Sequence, residues 1–174
     1  RRSYENSLFG IGSGIKEYAE YAGFDTTLER GYGFNFTEEA TPADGEDALN
    51  ITIHLNYKKA KKDTIMTYDE ELGKYAWSQY GKVMQDQISG ETEAFTNVLI
   101  LSAKVTNEGL YHYADFEAGG TGYYANCGKL IPITWTCNGE REPFLFYTED
   151  GQELQMGVGN TYIAILPEDG SVEY

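Results

Sequence analysis

"GGTGYYANCGKLIPITW", residues 119–135, packs four glycines, three aromatic rings, a cysteine and a proline into one short stretch. Three readings compete for it: a phosphate-cradling loop, an aromatic platform for sugar, or a β-hairpin. Anion binding by a glycine loop needs a strand before it and a helix N-terminus after it, so that free N–H groups face the anion. A period-two run rich in Tyr, Ile and Trp follows instead. Along that run Ile131, Ile133, Trp135 and Cys137 fall on one strand face, the core side. The reading is therefore a hairpin whose turn holds Asn126 to Lys129. Pro132 has the other parity and no N–H to give a ladder, which places it on an edge strand, at a strand start or at a bulge. Tyr123 and Tyr124 point to opposite faces, so at most one can join a ring platform.

Outward from the hairpin, period two dominates. In "LNITIHLN" Ile51, Ile53 and Leu55 oppose Thr52 and His54. "TIMTYDEELGKYAWSQYGK" predicts two strands around a turn at Glu71 to Gly73, with Tyr75 and Trp77 on one face. "NVLILSAKV" is continuously apolar and suits a central strand covered on both sides. "GLYHYADFEA" alternates weakly, "PFLFYTEDGQELQM" predicts a hairpin at Asp150-Gly151, and "NTYIAILP" closes the set. Helical spacing occurs once, in "SGIKEYAEYAGF", with Ser13 as N-cap and Gly23 as stop. The fold class expected is α+β, mainly antiparallel sheet with one or two N-terminal helices. Composition shifts at the acidic loop "TEEATPADGED", which sets a boundary between residues 1–43 and 44–174.

Composition narrows the partners. The 174 residues carry 13 basic and 28 acidic side chains, a net charge of −15, which repels nucleic acid and anionic lipid. The basic run "KKAKK", Lys58 to Lys62, reads as a solvated loop between strands. No stretch is long and apolar enough to cross a membrane as a helix. Fifteen tyrosines suit half-buried sheet surfaces, where the ring packs and the hydroxyl stays wet. Cys127 and Cys137 would lie far apart on one extended strand, so free thiols are expected.

No catalytic set emerges from spacing. His54 and His112 have no metal-type neighbourhood, and Asp115, three positions from His112, faces the other way on a strand. The acidic residues gather in turns, and neither a G-x-S-x-G motif nor a calcium loop is present. No cofactor is expected. The ligand-binding candidates are Tyr123, Tyr124 and Trp77, as exposed rings that could contact a glycan.

"GYYANCGKLIPITW" followed by "FYTEDGQELQMGVGNTYIAIL" resembles the C-terminal region of the YerB-like lipoproteins, the DUF3048 family of bacteria. Upstream, "YDEELGKYAWSQYGKVMQDQISGE" and "TNVLIL" resemble that family's Y-D run, its D-x-x-[ST]-G-E and its N-V-[IV] strand. The likeness spans about residues 34–167. Two positions depart from it: Tyr162 stands where tryptophan is usual, and Tyr4-Glu5-Asn6 stands for Pro-His-Asn, so no role of that histidine passes to Glu5. The resemblance implies that residues 1–43 are the tail of an N-terminal domain. It also implies a protein on the extracellular face of the membrane, anchored by a lipid on a cysteine outside these residues. The function expected is a non-catalytic binding or scaffolding module whose partner is a cell-wall glycan or an envelope protein. The alternatives are a hydrolase acting on envelope material, or a support for a functional N-terminal domain.

Overall fold

The computed structural model describes residues 12–26, 33–57, 60–109, 111–139 and 142–174, with only the backbone at 56, 57, 60 and 61. The Tyr4-Glu5-Asn6 segment and Lys58-Lys59 lie outside the described residues. Two compact units divide the chain, Arg1–Gly31 and Tyr32–Tyr174.

The first unit holds helix α1, Gly12–Ala22. Its stop is as expected: Gly23 takes φ 68°. The Phe24 N–H then donates to the Ala19 carbonyl at 3.0 Å and the Gly23 N–H to that of Glu20 at 3.2 Å, which satisfies two of the last carbonyls. Ser13 lies inside the first turn and does not cap it. No residue of the helix is buried.

The second unit is built of strands. They run β1 (Asn35–Thr37), β2 (Glu46–Asp47), β3 (Asn50–Tyr57), β4 (Ala60–Asp69), β5 (Lys74–Gln79), β6 (Lys82–Val83) and β7 (Ala94–Phe95). The long β8 (Asn97–Glu108) and β9 (Tyr111–Asp115) follow, then β10 (Gly120–Asn126), β11 (Lys129–Cys137) and β12 (Phe144–Thr148). The last are β13 (Gln155–Gly157), β14 (Thr161–Pro167) and β15 (Ser171–Glu173). This unit begins upstream of the acidic loop, because β1 already pairs with β13 and β2 with β11. The basic run is not wholly a loop either, since β4 starts at Ala60.

One sheet has the order β12-β11-β10-β8-β14, with β2 added to β11 and β9 to β8. A second runs β15-β3-β4-β5-β6, with β7 on β5, and β1 with β13 makes a two-stranded third. Most pairs are antiparallel, as expected, and the fold is mainly antiparallel β with one short helix among the described residues. Two pairs differ: β14 runs parallel to β8, and β1 parallel to β13. The Asp150-Gly151 turn forms with the Tyr147–Glu153 bridge, but the chain then leaves β12, and β13 takes β1 as its ladder partner.

The two sheets close over a core of Ile51, Ile53, Met66 and Tyr75 from one against Val98, Ile100, Ala125 and Leu166 from the other. A second core lies on the far face of the larger sheet, where Leu99, Leu101, Tyr124, Ile133, Trp135 and Phe146 pack with Leu154 and Met156. Strand β8 feeds both cores with alternate residues, which is why Val98–Leu101 is apolar at every position. Past Ala103 this ends: Lys104, Thr106 and Glu108 are exposed, and β8 continues with β9 as a two-stranded ribbon.

Candidate functional site

The stretch 119–135 forms β10 and β11, joined by the two-residue turn Cys127-Gly128. Both turn residues have positive φ, 52° and 71°, the backbone that matches the twist of paired strands. Asn126 supports the turn by accepting the Cys127 N–H on Oδ1 at 2.7 Å. No helix follows the glycines. Their use is steric: a Cβ on Gly122 would lie 2.2 Å from the Ile100 carbonyl oxygen of β8. Pro132 sits inside β11 and not at its start. It falls between Lys129-Leu130, which pair with β2, and Ile133–Cys137, which pair with β12. The missing N–H is tolerated there because neither outer neighbour pairs with that position.

Tyr124 is completely buried, 0% exposed, so its ring has no face to offer a ligand. Its hydroxyl instead joins a polar network between the larger sheet and β13. Tyr124 Oη donates to Asn97 Oδ1 at 2.8 Å, and the same oxygen accepts the Gly157 N–H at 3.1 Å. Asn97 Nδ2 donates to the Gly157 carbonyl at 2.8 Å, and Asn126 Nδ2 reaches Asn97 Oδ1 at 3.3 Å. Burial pushes the Tyr124 hydroxyl pKa up, against the hydrogen bonds from Gly157 and Asn126, which lower it. Spacing did not reveal Asn97 and Asn126. The available signal was an asparagine at the head of an apolar strand, where an unpaired amide would be costly.

Tyr123 and Trp77 are half-buried at the edge of the core between the sheets. Tyr123 contacts Tyr174 at 5.9 Å, while Trp77 contacts Tyr162 at 5.8 Å and Phe95 at 6.3 Å. The Trp77 Nε1–H is shielded from solvent and has no hydrogen-bond partner among the described residues. Strand β8 separates β10, which carries Tyr123, from β14, which carries the Tyr162 that meets Trp77. The three predicted residues are therefore not brought together into one platform.

Besides an open cleft of about 410 Å³ between Thr41–Asp44 and Gln152–Gln155, two other places among the described residues have the form of a site. An open cleft of about 290 Å³ lies where the loop after β1 meets the β10–β11 turn, lined among others by Glu38, Glu39, Thr96, Cys127 and Val158. Of the buried network only Asn126 and Gly157 reach its lining, and the Asn126 amide is already engaged. The second is the ribbon. Tyr111 and Tyr113 are 69% and 52% exposed, two positions apart on β9 and hence on one face, with ring centroids 6.5 Å apart and planes at 50°. Thr106 and Glu108 of β8 stand opposite them. The signal was the Y-x-Y spacing inside the weakly alternating stretch.

The histidines take separate positions. His54 Nδ1 lies 2.8 Å from Asp63 and Nε2 3.5 Å from Glu173, which ties β15 to β3 and β4. His112 is exposed on the ribbon and meets the Asn107 amide. Cys127 is exposed, Cys137 is buried, and both are free thiols. No group of three or more metal-ligating side chains is found among the described residues. No helix among them is long and apolar enough to cross a membrane.

Comparison with known proteins agrees with this architecture. A crystal structure of the YerB protein from Bacillus subtilis superposes with a TM-score of 0.73 at 23% identity, over 92% of this chain and 53% of that one. The chain thus spans about half the length of that protein, and at this identity the likeness establishes the fold. A search of curated proteins gives no match. Residues 53–163 match the family described as protein of unknown function (DUF3048), C-terminal domain. That match covers well over half of the chain and, with the shared fold, shows that this protein belongs to the YerB-like DUF3048 family.

Proposed function

We propose that this chain is a non-catalytic binding module of a bacterial cell-envelope protein, displayed outside the cell by a lipid anchor that lies beyond these residues. The observation that carries the reading is the exposed Tyr111–Tyr113 pair on a two-stranded ribbon that continues β8 past the two packed sheets. Rings held on a β scaffold offer contact area at small conformational cost, which is the economy of a binding surface. The net charge of −15 supports attachment through a separate anchor over direct adsorption to anionic lipid. Sedimentation of the purified chain with insoluble cell-wall sacculi, and in parallel with envelope membranes, tests this. Saturable retention by either material is the expected result, and no retention by both sinks the proposal.

Helix α1 favours a second reading, in which the chain supports another domain. Ile15, Tyr18, Tyr21 and Phe24 are all exposed in this unit, and the structurally similar protein is about twice as long. Fusion to the rest of such a protein should protect these side chains from solvent in amide-exchange and labelling experiments. The hydrolase reading rests on Glu38 and Glu39 in the end cleft. It predicts release of soluble fragments from sacculi that Glu38→Gln and Glu39→Gln abolish.

A further inference from the structure

We infer that the outer face of the β8–β9 ribbon is a subsite for an uncharged glycan, with Tyr111 and Tyr113 as its floor. This rests on the binding-module reading above and gives that surface a ligand class.

The argument begins with why the face exists. On β8, Val98 and Ile100 point into the core between the sheets, whereas Lys104, Thr106 and Glu108, at the same parity, point to solvent. The larger sheet therefore runs on past its cover, and one continuous strand face changes from core to surface. Opposite those three residues β9 places Asp115, Tyr113 and Tyr111 in register. Cross-strand partners share a face, so this face holds two rings, a hydroxyl, two carboxylates and one ammonium group. It has no aliphatic side chain.

That composition selects among ligands. An acyl chain or apolar peptide anchor finds no aliphatic socket here. A polyanionic polymer meets Glu108 and Asp115 within the field of a chain of charge −15. A large planar aromatic ligand needs coplanar rings, and these are inclined at 50°. Successive pyranose rings in a chain present C–H faces in turn and carry hydroxyls along their edges. Each face can lie on one tyrosine, while the Thr106 hydroxyl donates or accepts and the Glu108 carboxylate accepts from sugar hydroxyls at the rim. A shallow, open site of this kind gives affinity in the range of about 0.1–1 mM.

The experiment is an NMR titration of the 15N-labelled chain with chitotetraose, alongside Tyr111→Ala, Tyr113→Ala and the two Phe replacements. Expected are saturable shifts at residues 104–108 and 111–115. Each alanine variant should weaken affinity by about tenfold, while each phenylalanine variant stays within about threefold, because the stacking face survives. Unchanged amide signals at Asn126 and Gly157 in the variants show that the fold is intact. No saturable shift with chitotetraose, or shifts that map elsewhere, overturns the glycan subsite. If sacculi still retain the wild-type chain in that case, the binding-module reading stands without it. If nothing retains the chain, both fall. Retention by envelope material that depends on Tyr111 and Tyr113 but disappears after protease treatment of that material assigns the face to a protein and also overturns the inference.

Discussion

The Tyr124 hydroxyl meets Asn97 Oδ1, Asn126 Nδ2 and the Gly157 N–H where no solvent reaches. Removing it leaves Asn97 and Gly157 partners to each other but thins the network. Tyr124→Phe should cost about 1–2 kcal/mol in urea denaturation. Asn97→Ala takes away both the donor to the Gly157 carbonyl and the acceptor of the Tyr124 hydroxyl, and should cost roughly 3 kcal/mol in the same assay. A pH dependence follows from the same burial. Tyr124 and Tyr75 are both held above the ordinary tyrosine value of 10.0, chiefly by desolvation. The folded state keeps its protons where the unfolded chain would lose them, so the contribution is complete below pH 10 and declines as pH rises beyond it. Stability measured from pH 9 to 11 should fall with a slope that Tyr124→Phe makes shallower.

At the scale of elements, the β10–β11 hairpin shows how close approach and turn chemistry set a register. Gly122 has no room for a side chain against the Ile100 carbonyl, so Gly122→Ala must push β10 away from the central strand. A loss of about 3 kcal/mol is expected, whereas exposed Thr121→Ala should stay within about 0.5 kcal/mol, both by chemical denaturation. The start of β11 is also held by charge, because Lys129 Nζ lies 2.7 Å from Asp47 Oδ1 on β2. The hydrogen bond and the charge of Lys129 hold the Asp47 pKa below its usual 3.8. With a lowered folded pKa the contribution is present above the carboxylate range and vanishes as pH falls through it. Asp47→Asn should flatten the acid limb of the stability profile slightly, the pair being open to water.

For the molecule as a whole, charge and exposure govern behaviour. A net charge of −15 repels itself in the compact state and less so in the expanded one. Raising sodium chloride from low to physiological concentration should screen this and raise Tm by roughly a few degrees, read by circular dichroism. A flat or falling Tm would show that local ion pairs such as Asp47–Lys129 outweigh the general repulsion.

Local order was legible because strand faces are written in alternation. Ile51, Ile53 and Leu55, the doubly covered run at Val98–Leu101 and the Asn126–Lys129 turn depend only on neighbours in sequence and on the period of two. Gly23 ended its helix for an equally local reason. Tertiary structure decided what depends on distant partners. The direction of β14 against β8, the departure of β13 to β1 and the gap that tolerates Pro132 are all choices between strands that hydropathy treats alike. The same holds for the rings: Tyr123, Tyr124, Trp77, Tyr111 and Tyr113 are equivalent as residue types. Only the packing of one sheet on another determines that Tyr124 is sealed inside while Tyr111 and Tyr113 face water, because burial belongs to a surface made by residues far apart in the chain.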